Sequence, residues 1–384
     1  MALLRRTLPL VMCVLPAAIP AQPAPQFRNP LFLSIPERDD QFRHMENERP
    51  YAKIAAAAST VRPVHKFGKG KPLELPDLDN HLSSQRIAGL IIIHNNKIRL
   101  EKYGLSFDPN SRWTSFSVAK SFTSTLVGAA IRDGHIKSLN DKVTTYIKDL
   151  KGSAYDDVTV RQLLTMTSGV KWNEDYTDPK SDVAVFLSQP PDPGVNATVS
   201  YMRKLPREAA PGTKWVYKTG ETNLIGILVS EAVKKPLSDY LSEKIWKPYG
   251  MEADAYWLLD STKQEISGCC ISARLRDYAR FGQFILDNDG TGSILPKEWL
   301  NQATTKQADI GTPGRGYGYQ WWTEDDGTFM AVGIFGQSIF LDRKRKLVIV
   351  TNGNWPTATD RKVLQPARTA FFRRVQVAID DERR

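Results

Sequence analysis

The 384-residue chain is 41% hydrophobic and 24% charged, and its formal net charge is +10. That is ordinary globular composition with room for a large core and two lobes, and it excludes a disordered chain, a collagen-like repeat and a disulfide scaffold. The basic residues are scattered apart from short clusters such as Asp342–Leu347, the pattern of solvated turns, so no nucleic-acid partner is expected.

In chain order, Met1–Ala21 reads as a secretory signal peptide. Arg5 and Arg6 form its basic start, Leu8–Ile19 its apolar middle, and Ala18–Ala21 a usable cleavage site. The mature protein is therefore expected to be exported, periplasmic or secreted. Cys13 raises a lipid anchor, but Met12 is a poor neighbour for a lipidated cysteine. No transmembrane span is expected in the mature chain. Residues 22–76 are Pro-rich and mixed in charge and predict an irregular surface arm. Residues 77–384 then form the main domain. Ala88–Gly104 predicts a hairpin turning at Asn95-Asn96. A helix of small and apolar residues follows, running from Ser117 to about Arg132 and stopped by Gly134.

From about residue 139 to 265 the patterns are mostly helical, broken by Pro/Gly loops. Thr159–Gly169 predicts one helix and Asn223–Trp246 two more. Ala273–Gly290 predicts another, ended by Gly290. Cys269 and Cys270 are adjacent and read as small buried hydrophobes, because neighbouring cysteines bridge only across a strained peptide. The period then changes. Tyr317–Asp325, Thr328–Asp342 and Lys346–Asn354 predict three short strands, and Thr359–Ile379 a last helix. The fold class is α/β in the α+β sense: one antiparallel sheet built from both ends of the domain, flanked by helices, with an inserted helical lobe. A site between the lobes is the natural expectation.

The chemistry can be narrowed by elimination. The histidines are His44, His65, His81, His94 and His135. None follows Ser117 late in the chain, and no G-x-S-x-G is present, which excludes an α/β-hydrolase triad. There is no H-E-x-x-H, no phosphate loop and no G-x-G-x-x-G. No metal or other cofactor is expected. What remains is Ser117 with Lys120 as its base. Residues i and i+3 share a helix face, so the ammonium can fold back to the hydroxyl. Burial lowers a lysine pKa until it can accept a proton. Ser117 in the first turn also offers its backbone N–H to an oxyanion.

Thr114–Gly128, followed in order by Val158–Val170, Pro211–Ala232, Ile271–Leu286 and Gly316–Asp342, resembles the serine β-lactamase and penicillin-binding protein superfamily. The resemblance covers roughly Leu90–Asn354. It points to the class C-like branch, nearest to the 6-aminohexanoate-dimer hydrolases and related esterases. It implies an acyl-enzyme at Ser117, Lys120 as base partner, and Tyr217 as the proton-sharing tyrosine of the second motif. An asparagine is frequent two residues after that tyrosine; here Thr219 stands there. The third motif, Lys-Thr-Gly in β-lactamases, is matched to Ile334-Phe335-Gly336. The Gln337 backbone N–H is then the second oxyanion donor beside Ser117, and the cation that grips a β-lactam carboxylate is missing. Tyr176 lies where related hydrolases carry a loop over the site, free to meet substrate or to pack on Trp172. Trp215, Trp321 and Trp322 either line a cleft or fill the core.

The resemblance therefore implies a serine hydrolase acting on amides or esters of small acyl groups, with a small molecule as its partner. A carboxylesterase, a D-amino-acid peptidase or β-lactamase, and a non-catalytic binding protein on the same fold are the alternatives. Nothing in the sequence sets an oligomeric state.

Overall fold

Asn95 and Asn96 both adopt left-handed backbone (φ 51° and 59°), which is what a two-residue hairpin turn requires of non-glycine residues. They join the longest hairpin in a computed structural model that describes residues 28–58, 60–288 and 294–382. The signal-peptide reading of Met1–Ala21 and the helix stop at Gly290 lie outside the described residues.

The strands are β1 (Tyr51–Ile54), β2 (Gly68–Lys69), β3 (Ile87–His94), β4 (Lys97–Tyr103), β5 (Trp113–Thr114), β6 (Ala255–Leu258), β7 (Ile271–Ala273), β8 (Arg315–Tyr317), β9 (Trp322–Glu324), β10 (Phe329–Val332), β11 (Ser338–Asp342) and β12 (Leu347–Gly353). Eight of them form one sheet in the order β2-β4-β3-β12-β11-β10-β9-β8. Its pairings are antiparallel except β2 with β4. It unites the two ends of the domain, as expected.

Both faces of its centre are covered. Ile91, Ile93, Val348 and Val350 face the main core. Leu90, Ile92, Leu347 and Ile349 face the terminal helix Leu364–Asp381 through Phe371, Phe372, Val375 and Ile379. Burial on both sides explains why Leu90–Ile93 is a continuous apolar run and not an alternating one.

Four expectations need correction. A second sheet of four strands, β1-β6-β7-β5, accompanies the first. Its strands have two to four residues, too few to leave a period in the sequence. The three C-terminal strands are five, because turns at Gly318–Trp321 and Gly333–Gln337 divide two of the predicted runs. The segment before residue 77 is not an irregular surface arm. It holds the helix Ile35–Arg43, whose Pro36 fits the first turn and whose Ser34 and Glu37 form a capping box. Phe42 of that helix is fully buried, and β1 pairs with β6. Finally, Cys269 and Cys270 are joined in a disulfide. The left-handed backbone at Cys270 (φ 76°) brings the neighbouring thiols together.

The helix Ala119–Arg132 runs through the middle of the molecule, with Ala119–Ala130 buried throughout. Its small polar residues spend their hydroxyls on neighbouring chain. Ser121 donates to Gln320 O, Thr123 to Ser267 O, and Ser124 to Tyr319 O, at 2.6–2.8 Å. Gly128 leaves room for Trp299, whose ring would lie 2.6 Å from a Cβ. The helix is therefore small-sided because it is packed all round, and it fixes whatever stands at its N-terminal end.

Candidate active site

Ser117 stands at that end, in a single turn of 3₁₀ helix (Phe116–Val118) that leads into Ala119–Arg132. The chain arrives from β5, which is pinned to β7, and turns sharply at Phe116, whose φ is +43°. A bulky residue holds a left-handed conformation only when its surroundings over-determine it. The Phe116 ring is wedged between Phe42 and Phe335, with centroids 4.8 and 5.3 Å away. The N-terminal segment thus helps to set the nucleophile's position.

Lys120 Nζ lies 3.2 Å from Ser117 Oγ. The lysine is 1% exposed, and desolvation pushes its pKa down to about 7, opposed by the negative charge of Glu174. Its other partners are Gly268 O at 2.6 Å and Thr219 Oγ1 at 3.1 Å. Gly268 is held in turn by its N–H on Asn223 Oδ1. Lys120 Nζ sits 5.3 Å from the Tyr217 ring centre. Burial, then Glu174, pushes the Tyr217 phenol well above its ordinary range, with Ser117 slightly offsetting the rise, so it stays protonated at neutral pH. Trp322 stacks on Tyr217 at 5.6 Å and fixes the ring.

Glu174 is a site residue that sequence reasoning missed. Its carboxylate accepts four hydrogen bonds, from Thr219 N (2.9 Å), Thr219 Oγ1, Tyr176 OH (2.8 Å) and Trp172 Nε1. Thr219 thereby links Lys120 to a half-buried acid at the start of the helix Thr219–Val233, where a carboxylate is favoured. The one trace in the sequence is the spacing of Trp172, Glu174 and Tyr176, each two apart. Tyr176 is tied to Glu174, while Trp172 packs on Phe186 and Tyr201 instead.

A cavity of about 610 Å³ opens over Ser117. Tyr176, Trp215, Tyr217, Trp322 and Ile334 are among its walls, while Trp321 is in the core. Four expected residues are not on its wall. Thr219, expected to meet substrate, is turned to Lys120 and Glu174. Phe335 is 1% exposed and packs on Phe42 and Phe116. Gly336 backs onto Trp355, whose Nε1 would lie 2.6 Å from a Cβ there. Gln337 turns its side chain to Gly353, donating to its carbonyl and accepting from its N–H. Val332, Gly333 and Ile334 line the cavity instead. Gly333 is where the chain presses against the nucleophile's turn, since a Cβ there would lie 2.6 Å from Ser115 O. The third-motif match was therefore set three residues late. That stretch carries no cation, but Arg315, Arg361 and Arg368 line the cavity from other elements. Among the described residues, no group of three His, Cys, Asp or Glu side chains is placed to hold a metal ion, and no helix is long and apolar enough to cross a membrane.

A helical lobe beside an antiparallel sheet, with a serine at the head of the central helix and a buried lysine one turn on, defines the fold class shared by serine β-lactamases and penicillin-binding proteins. The chain belongs to the β-lactamase family, whose family model matches residues 77–370. Over 307 residues it is 28% identical to the 6-aminohexanoate-dimer hydrolase of Paenarthrobacter ureafaciens, covering 75% of this chain and 77% of that protein. Among solved structures it is similar to a candidate 6-aminohexanoate-dimer hydrolase from Bacillus anthracis. That match has a TM-score of 0.80 and 23% identity, over 95% of this chain and 99% of the other. A class C β-lactamase variant shares the fold at a TM-score of 0.58 and 16% identity, over 78% and 95% of the two chains. Family and relatives are hydrolases, and the function they support is that of a serine hydrolase acting on amides.

Proposed function

We propose that this protein cleaves small linear amides through an acyl-enzyme on Ser117, in the manner of a 6-aminohexanoate-dimer hydrolase. The observation that carries the reading is Lys120, buried, with a pKa near 7, at 3.2 Å from Ser117 Oγ. At that pKa about half of the lysine is neutral at pH 7 and able to take the serine proton. Ser117 Oγ bonds to the substrate carbonyl carbon as its proton passes to Lys120 Nζ. Tyr217, beside Lys120, hands a proton to the departing amine as the C–N bond breaks, and is reprotonated from Lys120. Water then attacks the ester, giving its proton back along the same path, and Ser117 Oγ leaves protonated.

The developing oxyanion needs two fixed N–H donors. Ser117 N is one. The second is Ile334 N, not Gln337 N. Its neighbours are already committed, Gly333 N to Gln337 O and Phe335 N to Ala358 O, and Ile334 lies between them on the cavity wall. Esters of the same acyl groups would pass through the same intermediate. The basic and then apolar pattern of Met1–Ala21 supports export of the enzyme. The test is mass spectrometry after treatment with a fluorophosphonate. The adduct is expected on the peptide containing Ser117 and absent in Ser117→Ala. An adduct on another serine, or none with either protein, overturns the reading and favours a binding protein on this fold.

A further inference from the structure

A neutral lysine amine, the form that accepts a proton, has two N–H bonds and one lone pair. The three partners of Lys120 divide them. Gly268 O, at 2.6 Å, can only accept. Thr219 Oγ1, at 3.1 Å, gives its own proton to Glu174 and so accepts from Lys120 as well. Both N–H bonds are then engaged, and the lone pair is left for Ser117 Oγ at 3.2 Å. Without Gly268 O, an N–H is free to turn to Ser117 Oγ, and that hydrogen bond runs in the direction that cannot take the serine proton.

Gly268 is the first residue of a short connection into β7. On one side its N–H is held by Asn223 Oδ1 at 2.6 Å, and a Cβ on Gly268 would lie 2.8 Å from Thr219 O. At the far end Ile271 N donates to Ser115 Oγ at 3.0 Å and Ile271 O accepts from Ser115 N at 2.7 Å, two residues before the nucleophile. Between these anchors stand Cys269 and Cys270, joined in a disulfide. Cys270 has a φ of 76°, which a residue other than glycine keeps only when its surroundings impose it. The bridge is such a constraint, because it closes a ring through the peptide between the two cysteines. Once it is opened, Cys270 is free to return to negative φ. That rotation falls between Gly268 and Ile271, the points that address Lys120 and the turn of Ser117. An exported protein meets the oxidising conditions in which such a bond persists.

We infer that Cys269 and Cys270 are positioning residues for the base: their disulfide holds the turn that presents Gly268 O to Lys120, and a dithiol that opens it slows attack by Ser117. The inference rests on the acyl-enzyme reading of Ser117. Cys269 is half-buried and Cys270 is 6% exposed, so a thiolate of the dithiol attacks the sulfur of Cys269. The S–S bond breaks, and the Cys270 sulfur leaves with the electron pair and takes a proton. The second thiol of the reductant then displaces Cys269, which is protonated in turn. The pair gains two electrons and two protons, and the dithiol becomes a disulfide.

The test compares the full chain, exported and isolated without reductant, before and after treatment with dithiothreitol that is then removed. Iodoacetamide uptake on the peptide containing Cys269 and Cys270 reports the state of the pair. The rate and the stoichiometry of fluorophosphonate labelling at Ser117 report the site. The untreated pair should take up no iodoacetamide. The reduced protein should take up two and label about tenfold more slowly at saturating reagent, yet to completion; that is part of the roughly 10²–10⁴-fold that a positioned base supplies. Reoxidation with diamide should restore the rate. The double variant Cys269→Ser/Cys270→Ser should label at the reduced rate and ignore dithiothreitol, which separates the effect from Cys13. Free thiols at the pair in the untreated protein, or equal labelling rates in the two states, overturn the inference. So does a fall in stoichiometry in place of rate, which marks unfolding. A bridge that served stability alone would lower the melting temperature on reduction and leave the labelling rate where it was. The comparison of oxidised with reduced protein needs no variant, so a folding defect in the double variant would not shelter the inference. Labelling that ignores the redox state leaves the acyl-enzyme reading standing, whereas no labelling in either state sinks both.

Discussion

Replacing Glu174 by glutamine should move the acid limb of the rate profile to lower pH. Lys120 works only as the neutral amine, so activity rises as pH passes its pKa of about 7. Desolvation lowers that pKa, and the Glu174 carboxylate opposes it by favouring the ammonium. Both groups bond Thr219 Oγ1, which puts the two charges roughly 5 Å apart. At an effective dielectric constant of about 20, that interaction is about 3 kcal/mol, or about 2 pH units. Water in the cavity screens part of it, so a fall of about 1 to 2 pH units is expected. At pH 6 about one-tenth of the wild-type lysine is neutral, against half or more in Glu174→Gln. The assay is the rate of Ser117 labelling by a fluorophosphonate from pH 5 to 9, with each protein normalised to its own plateau. The plateau of the variant should be lower, because glutamine cannot accept all four hydrogen bonds, but that is not the test. A limb that stays in place, or moves up, would show that Glu174 does not act on the charge of Lys120 and that Thr219 is no link between them. No alkaline limb from Tyr217 is expected below pH 9, since burial raises its pKa.

Two further outcomes follow from the same contacts. Lys120→Ala and Tyr217→Phe should each lose roughly 10²-fold or more in kcat/KM, and the double variant little beyond the worse of the two, because they move one proton between them; losses that multiply would place Tyr217 outside the base unit. Phe42→Ala should cost about 3–5 kcal/mol of stability in urea unfolding, as for other fully buried phenylalanines, and should slow Ser117 labelling even where the variant is folded; a labelling rate equal to the wild type would refute the role of the N-terminal helix in holding Phe116.

What could be read from the sequence was what depends on near neighbours. Ser117 and Lys120 are three residues apart, a spacing that puts them on one helical face, and their side chains meet at 3.2 Å. The Asn95-Asn96 hairpin is equally local. Thr219 stands in the sequence as a departure from the asparagine of its relatives and as a candidate substrate contact, yet it is the bridge from Lys120 to Glu174. That bridge spans 45 residues, and nothing within the loop around Glu174 shows where its carboxylate will go. The third motif failed by a small margin for a similar reason. Gly333 and Gly336 lie in the same turn and both satisfy a glycine pattern. Only packing separates them, because Gly333 approaches Ser115 whereas Gly336 approaches Trp355. The second sheet was invisible because its strands are too short to show alternation. The helix at Ile35–Arg43 was hidden by prolines that count against a helix everywhere except in its first turn.

The position of the positive charge gives the strongest argument about substrate. In the β-lactamase pattern that this chain resembles, the cation stands on the strand beside the nucleophile, next to the reacting carbonyl. Here that wall carries Val332, Gly333 and Ile334, and the cavity's arginines, Arg315, Arg361 and Arg368, stand on other elements. A bicyclic β-lactam fixes its carboxylate one ring atom from the reactive amide nitrogen, so a cation displaced to another element is hard for it to use. A linear chain can place its carbonyl at Ser117 and reach these arginines by rotation about single bonds, at a modest entropic cost for each bond that is fixed. The two tryptophans that flank Tyr217, Trp215 and Trp322, give the cavity apolar surface against which the methylenes of a linear amide would lie.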